Sequence, residues 1–326
     1  MASPTVTSPE RSLRGDPRRL GDRVFRGLST GSGLLVLVVI VLIAVFLVQK
    51  SIPALRADST SFLTTKLWTP DNSPPVFGIA ALAFGTLLSS VIALLIAGPI
   101  ALGIALYISE YAPRRLAKPV GYLVDLLAAV PSVVYGLWGL LFLVPYSGAF
   151  QQFLGDHLGF LPLFDLGTNG VVGRSVLLAS LVLALMILPI IAAISREIFL
   201  QVPQANREAA LALGATKLEM IRYAVLPYSR SGVTGALMLG LGRALGETIA
   251  VALVLSLAPT TSFHILDANI GGNTIAANIA AQYQAAEPLG QQALIASGLV
   301  LFVITFAVNG LARYVVARGA RRTGAA

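Results

Sequence analysis

One apolar stretch of the chain carries two side chains that could do chemistry inside a membrane. Residues 231–258 are mostly hydrophobic, yet they include Arg243 and Glu247 in the run Gly-Arg-Ala-Leu-Gly-Glu-Thr. A charge at the centre of a bilayer costs at least about 2.5–3.5 kcal/mol on insertion scales, so it needs a partner or a water-filled cavity. On one continuous helix, a spacing of four residues places both side chains on the same face, where they can neutralise each other.

Two interpretations of Arg243 and Glu247 remain open. In the first they form a structural ion pair, and Gly242 and Gly246 let a neighbouring helix approach closely. In the second Arg243 contacts an anion on a transport path, because a planar guanidinium makes bidentate bonds to oxyanions. Glu247 would then compensate Arg243 in the empty path and accept a hydrogen bond from a protonated oxyanion. An oxyanion that carries no proton near neutral pH would be repelled by Glu247.

A third carboxylate, Asp125, lies near the start of another apolar segment. Three placements are compatible with its position in the sequence. Asp125 could line the inner mouth of a path, pair with Arg243, or extend to the cytoplasm as a solvated side chain. The sequence alone makes it a possible pathway residue.

The composition indicates which elements must position these charges. The chain has 326 residues, of which 56% are hydrophobic and 12% charged, and its mean hydropathy is +0.81. Soluble domains have about a quarter of their residues charged, so the sequence predicts an all-α polytopic membrane protein. Its basic residues flank apolar runs rather than forming one soluble face, which disfavours nucleic acid as a partner and favours the lipid bilayer.

Catalysis and metal binding find little support in the sequence. There is no cysteine, and the two histidines, His157 and His264, fall in separate loop regions. A metal site needs several converging ligands. No glycine-rich nucleotide-binding loop of the Gly-x-x-x-x-Gly-Lys-Ser/Thr type is present either. We therefore expect no metal, no cofactor and no enzymatic activity on this chain.

Six apolar segments reach the length of a transmembrane helix. They lie at roughly 32–49, 76–108, 119–145, 171–198, 231–258 and 289–312. An even number of spans places both termini on one side. With the N-terminus in the cytoplasm, eighteen lysines and arginines fall on the cytoplasmic side and four outside, a strong positive-inside bias. Arg243 is the one that remains within a span, and Pro131 is expected to kink the third span.

The spans divide the chain into four regions. Residues 1–32 form a basic cytoplasmic tail, and 33–75 the first transmembrane helix and an external loop. Residues 76–316 form the main transmembrane domain, including a cytoplasmic loop at 199–230. Residues 317–326 form a cytoplasmic C-terminal tail.

The cytoplasmic loop at 199–230 has the pattern of two short helices joined at a glycine. Gly214 is placed to end the first helix in the left-handed conformation. Thr216 and Glu219 have the spacing of a capping box at the start of the second helix, and Pro227 is expected to end it. The loop is thus predicted to project as a compact knob. An amphipathic surface hairpin without any partner is the alternative.

This loop resembles the EAA loop of ABC importer permeases. The shared pattern is Glu-Ala-Ala, a glycine four residues later, and a Leu-Pro pair. In that family the loop inserts into a cleft of the cytoplasmic ATPase and transmits its closure. The family pattern has an isoleucine two positions before the Leu-Pro pair, where this chain has Ala224. The residues that the resemblance implicates in ATPase coupling are Glu208, Ala209, Ala210, Gly214, Leu226 and Pro227.

Two further segments resemble the phosphate-specific ABC importer permeases. One is Gly-Leu-Gly-Arg-Ala-Leu-Gly-Glu-Thr in the predicted fifth span, and the other is the stretch 130–140 in the third. The similarity covers most of residues 76–316. The Glu-Thr-Ile-Ala-Val-Ala ending and the extra N-terminal span resemble the PstC type more than its PstA partner. In that family the residues matching Arg243 and Glu247 are implicated in phosphate passage.

The resemblance implies a type I ABC importer permease core and a set of partners. The chain would form a phosphate pathway with a second, PstA-like permease in the plasma membrane of a prokaryote. A PstB-like ATPase dimer would drive it from the cytoplasm, and a PstS-like binding protein would deliver phosphate from outside. Both termini would be cytoplasmic.

Other functions remain as alternatives. A permease for another oxyanion, such as sulfate or molybdate, is the nearest. An ion-coupled secondary carrier would use Glu247 as a proton site, but the EAA-like loop disfavours it. A non-transporting scaffold would have no reason to bury Arg243 and Glu247.

The topology is directly testable. We predict that both termini and the loops around Arg114 and Gly214 face the cytoplasm, and that the loop around His157 faces outside. Because the chain has no cysteine, single cysteines placed at these positions can be probed with an impermeant thiol reagent on intact cells. Only position 157 should be labelled. External labelling at position 214 would contradict the six-span arrangement.

Overall fold

A computed structural model of the chain describes residues 20–161, 164–166, 172–255, 265–266 and 272–322. The chain divides into two units, residues 1–49 and 50–326. The described part of the first unit belongs to helix α1 (Leu20–Ala57), which has 38 residues. Its apolar side chains there are largely exposed, as expected of a helix whose surroundings are lipid.

The described part of the second unit is almost entirely helical. After α1 the chain forms a two-stranded antiparallel hairpin of β1 (Trp68–Thr69) and β2 (Val76–Phe77). The following helices are α2 (Ala80–Leu106), α3 (Arg114–Ala128), α4 (Ser132–Trp138), α5 (Val144–Tyr146), α6 (Gly148–Leu158), α7 (Val176–Leu200), α8 (Gln204–Ala212), α9 (Lys217–Met220), α10 (Leu226–Leu245), α11 (Ile249–Val254), α12 (Ile275–Gln282) and α13 (Pro288–Arg322). Single wider turns of π-helix follow α2, α4 and α9.

Four of the described helices are long and apolar enough to cross a bilayer. They are Gly21–Ala57, Ala80–Tyr111, Val176–Leu200 and Pro288–Tyr314. A fifth crossing would be the bent pair Arg115–Ala128 and Ser132–Tyr146, whose axes differ by 87°. The predicted all-α polytopic architecture is thereby confirmed. The predicted kink at Pro131 is also confirmed by this bend. The kink arises because proline lacks the N–H that would continue α3 into α4.

The predicted span 231–258 is not one helix. Helix α10 ends at Leu245, Gly246 follows as its C-cap, and α11 starts only at Ile249. Residues 256–258 lie outside the described residues. Neither helix is both long and apolar enough to cross a bilayer. Helix α11 has only six residues, and α10 carries serine, threonine and arginine among its apolar side chains. Non-helical backbone at membrane depth is tolerated only where protein buries it or where it lines a cavity.

Helix α7 is the centre of the packing in the second unit. More than half of its side chains are buried, since α2 packs along it and α10, α3 and α11 also contact it. The face of α2 that meets α7 is lined by small residues four positions apart, which let the two backbones approach closely. These residues are Ala93, Ala97 and Ala101, all fully buried. The helices that surround α7 are therefore held in fixed positions.

The two short helices predicted within residues 199–230 are present as α8 and α9. Gly214 adopts a φ of +84°, the left-handed conformation expected of a glycine that ends a helix. The capping box of Thr216 and Glu219 is formed, and the hydrogen bonds from the Thr216 backbone N–H and hydroxyl lower the pKa of Glu219. The expectation that Pro227 ends the second helix was wrong. A π-helical turn carries the chain from α9 into α10, and Pro227 lies in the first turn of α10, where no backbone N–H is needed.

The segments predicted as external loops contain ordered structure. Helix α1 continues to Ala57, eight residues beyond its predicted end. The hairpin that follows packs Trp68 and Phe77 edge to face, with ring centroids 5.9 Å apart. Helices α6 and α12 lie in the other two predicted loops. The described parts of these segments therefore contain helices and a hairpin.

Candidate functional site

Arg243 lies in the last turn of α10 and faces a cavity of about 1150 Å³. Helices α10 and α13 form most of its wall, and Ile190 of α7 contributes to it. The polar side chains among its lining residues are Ser231, Thr234, Arg243, Asn309 and Arg313. The described residues that line this cavity include two arginines and no acidic side chain. The cavity is therefore electropositive.

No carboxylate lies within ion-pair distance of Arg243 in the described part of the chain. Its guanidinium does act electrostatically on the phenol of Tyr135 in α4. The Tyr135 hydroxyl donates a hydrogen bond to the backbone oxygen of Leu127, 3.0 Å away, across the bend between α3 and α4. This hydrogen bond fastens α4 to the end of α3.

Glu247 does not pair with Arg243, and the predicted ion pair was wrong. The prediction assumed one continuous helix, whereas α10 ends at Leu245, between the two residues. Glu247 is only 8% exposed, and its Oε1 accepts a hydrogen bond of 3.1 Å from the backbone N–H of Ala250 in the first turn of α11. The carboxylate therefore caps the N-terminus of α11, where the helix dipole is positive and a negative charge is stabilising.

Asp125 pairs with a different arginine from the one considered from the sequence. Its Oδ2 lies 3.2 Å from Nη2 of Arg196 in α7, and the same Nη2 lies 2.6 Å from Oε1 of Glu197. Asp125 lines a second cavity of about 690 Å³, whose wall also includes Arg115 and Lys118 of α3. Of the three placements open from the sequence, the structure does not show the pairing with Arg243.

The EAA-like residues are divided between the surface and the interior of the α8–α9 hairpin, which comprises residues 204–220. Glu208 and Ala209 are exposed, while Ala210 is half-buried against an apolar cluster. That cluster consists of Ala105, Phe199, Val202, Met220, Ile221 and Val225. Leu226 and Pro227 are exposed at the start of α10. The tip of the hairpin also exposes Leu213 and Leu218, at 89% and 68%.

A buried ion pair at the base of the hairpin was missed by sequence reasoning. Nη2 of Arg207 lies 2.9 Å from Oε1 of Glu110, which belongs to the π-helical turn after α2. The two residues are 97 positions apart, so no spacing rule pairs them. One signal was available. Glu110 is an acidic residue at the end of a long uncharged run, and Arg207 directly precedes the Glu-Ala-Ala motif.

In the described residues, histidine contributes to no candidate metal site. His157 lies at the end of α6, where its Nδ1 and the backbone oxygen of Phe153 are 2.9 Å apart. His264 lies outside the described residues. Within the described ranges, no group of three or more His, Asp or Glu side chains could hold a metal ion.

The chain is similar to a family of transport proteins. Residues 97–321 match the family described as binding-protein-dependent transport system inner membrane component. The phosphate transport system permease protein PstC 2 of Mycobacterium tuberculosis is 48% identical over 301 residues, which cover 91% of this chain and 92% of that protein. The phosphate transport system permease protein PstC of Xylella fastidiosa (strain 9a5c) is 42% identical and covers 98% of this chain and 97% of its own length.

Solved structures share the fold at low identity. A bacterial alginate ABC transporter, in complex with an alginate pentasaccharide-bound periplasmic protein, superposes with a TM-score of 0.57 at 18% identity, over 92% of this chain and 98% of the other. A bacterial ABC transporter involved in the import of alginate gives a TM-score of 0.55 at 19% identity. The chain therefore belongs to the family of binding-protein-dependent inner-membrane transport components, in its PstC group, and is a permease subunit of an ABC importer.

Proposed function

We propose that the chain is the permease subunit of an ATP-driven importer of inorganic phosphate. One observation carries the proposal: Arg243 points its guanidinium into a wide cavity and has no carboxylate partner among the described residues. A membrane-embedded cation of this kind is a functional-site candidate. The names of the relatives, phosphate transport system permease proteins, support phosphate as the anion.

The chemistry of the cavity suits a tetrahedral oxyanion. A guanidinium can bind two oxygens of phosphate at once through parallel N–H donors. Asn309 and Arg313 on α13 line the same cavity and offer further donors. Along α10 the lining runs from Ser231 to Arg243, which is about 18 Å at 1.5 Å per residue. We place the anion path along this face of α10.

Glu247 takes a role different from charge compensation. Its hydrogen bond to Ala250 holds the first turn of α11, and so fixes the break that follows Arg243. Glu247 follows Arg243 by four residues in the chain, after the end of α10. Near neutral pH sulfate carries no proton that it could donate to a carboxylate, whereas phosphate does. We propose that Glu247 both caps α11 and disfavours sulfate.

The α8–α9 hairpin is the proposed contact for the cytoplasmic ATPase dimer. Its tip exposes Leu213 and Leu218 as well as the acidic Glu208, and exposed apolar side chains of this kind are typical of protein contacts.

A second, PstA-like permease would close the open side of the Arg243 cavity, and a PstS-like binding protein would deliver phosphate from outside. In this arrangement both termini lie in the cytoplasm, which agrees with the distribution of basic residues.

Arg243→Gln tests the anion contact. Phosphate uptake by cells that lack their own permease should fall by at least about tenfold, because the amide cannot replace a charged fork at the anion. Copurification with the ATPase should be unchanged. Arg174→Gln is the matched control, since Arg174 is exposed and lies outside the cavity lining. Normal uptake in Arg243→Gln would show that Arg243 has a structural role only.

The substrate itself is tested with the unaltered protein. Uptake of sulfate or molybdate instead of phosphate would identify another oxyanion as the substrate.

Glu247→Gln and Glu247→Ala separate the two proposed roles of this residue. Glutamine keeps an oxygen acceptor for the Ala250 N–H, so the melting temperature in detergent should be preserved. Alanine leaves that buried N–H unpaired, which costs about 1–3 kcal/mol, so the melting temperature should fall. In the glutamine variant, sulfate should begin to compete with labelled phosphate. If competition is unchanged while uptake remains normal, Glu247 is a helix cap alone.

Gly214→Val tests the hairpin as the ATPase contact. At Gly214 an added Cβ would meet no atom within 4 Å, so a substitution acts through the backbone alone. Valine resists the left-handed conformation, and we expect copurification with the ATPase to drop. Gly214→Asn is the control, because asparagine visits this conformation readily. Equal ATPase recovery from the valine variant and the unaltered protein, with normal transport, would exclude this role of the hairpin.

A further inference from the structure

The end of α2 is attached to both helices of the α8–α9 hairpin. This end is a π-helical turn, Tyr107–Tyr111, which closes with a 2.7 Å hydrogen bond from the Ala112 N–H to the Tyr107 oxygen. Glu110 in this turn contacts Arg207 of α8, and Tyr111 contacts Lys217 of α9. Both contacts join segments that are distant in the sequence.

The Arg207 guanidinium is fully engaged at this joint. Its Nε and Nη2 lie 3.3 Å and 2.9 Å from Oε1 of Glu110, and Nη2 also donates to the Phe199 oxygen at 2.7 Å. Nη1 donates to the oxygen of Val202. One side chain of α8 therefore binds the end of α2 and two backbone oxygens at the end of α7.

Burial makes the Arg207–Glu110 contact stiff. The two side chains are 13% and 6% exposed. A buried charge that loses its partner is left uncompensated in a poorly polarisable environment, so such a pair resists separation. Beneath it lies the apolar cluster that contains Phe199 and Val225, which excludes water from the joint.

A second attachment prevents the hairpin from pivoting about the first. Nζ of Lys217 stands 4.7 Å from the centroid of the Tyr111 ring, within the range of a cation–π contact. A single ion pair would let α8 rotate about the line between its two atoms. Two contacts from different helices of the hairpin to one turn remove that freedom.

We infer that the hairpin and the terminal turn of α2 move as one rigid body, with Arg207–Glu110 as the link that passes hairpin displacement to α2. The inference rests on the proposed ATPase contact of the hairpin. From that turn α2 runs along α7 and also packs on α10. Helix α10 carries Arg243. A displacement of the hairpin therefore reaches the cavity through helix packing, and Glu110 and Arg207 are positioning residues of transport.

The first test measures phosphate accumulated per ATP hydrolysed. The complete complex of both permeases, the ATPase and the binding protein is reconstituted in liposomes with Glu110→Gln or Arg207→Lys. Lysine keeps the charge but has no planar fork to reproduce the four contacts that Nε, Nη1 and Nη2 of Arg207 make. The ATPase should remain bound and stimulated by the binding protein, while phosphate per ATP falls about tenfold, a size typical of coupling between sites.

Arg222→Gln is the matched control for these variants. It removes a cation from the same cytoplasmic region, but the Arg222 guanidinium lies 5.7 Å from the ring of its neighbour Tyr223 rather than on α2. Its phosphate per ATP should equal that of the unaltered complex. An unchanged ratio in both Glu110→Gln and Arg207→Lys would overturn the link. Failure of the unaltered complex to carry phosphate would instead contradict the proposed substrate. The link would then be tested by the same ratio, measured with whichever of sulfate or molybdate the unaltered complex carries.

The second test leaves the buried pair intact. Tyr111→Cys and Lys217→Cys are combined in this cysteine-free chain, and a short bifunctional thiol reagent joins them. If the turn and the hairpin move together, the cross-linked complex should transport phosphate as well as the complex with both cysteines left unjoined. If cross-linking abolishes transport while the ATPase stays bound, the joint is a hinge and the rigid-body inference is wrong.

Discussion

The backbone break after Leu245 is the constraint on which the candidate site depends. In a bilayer every backbone polar group must find a partner, so a helix can end at depth only where protein or a cavity receives it. Here the buried carboxylate of Glu247 accepts a hydrogen bond from the Ala250 N–H at the start of α11. The same break removes Glu247 from the face of α10 that carries Arg243. Arg243 is thus left without a carboxylate among the described residues, beside a cavity with no acidic lining among them.

Two further features relate the cavity to the α8–α9 hairpin. At the bend near Pro131, Tyr135 fastens α4 to the end of α3 through its hydrogen bond to Leu127, and the Arg243 guanidinium acts electrostatically on its phenol. At the hairpin, Arg207 fastens α8 to the ends of α2 and α7. Between them lie α2, α7 and α10, which pack against one another, with alanines lining the buried face of α2. In the proposed importer, this packing is what lets an event at the ATPase alter the surroundings of an anion in the membrane.

Local signals in the sequence predicted local structure well. Gly214 was expected in the left-handed conformation, and Thr216 with Glu219 in a capping box, because these geometries depend on a few neighbouring residues. The pairing of Arg243 with Glu247 failed because the rule for residues four apart presupposes an unbroken helix. Hydropathy could not reveal the break, since the residues on both sides of it are apolar. Contacts between distant segments, such as the one that Glu110 makes, have no local signature and required the three-dimensional structure.

The most direct measurement is a cryo-electron microscopy map of the assembled complex, trapped with a hydrolysis-deficient ATPase in the presence of phosphate. The expected result is tetrahedral density within hydrogen-bonding distance of the Arg243 guanidinium, with Glu247 still bound to the first turn of α11. A map in which Arg243 pairs with a carboxylate of either permease, and in which the anion density lies elsewhere, would contradict the assignment of Arg243 to the phosphate path.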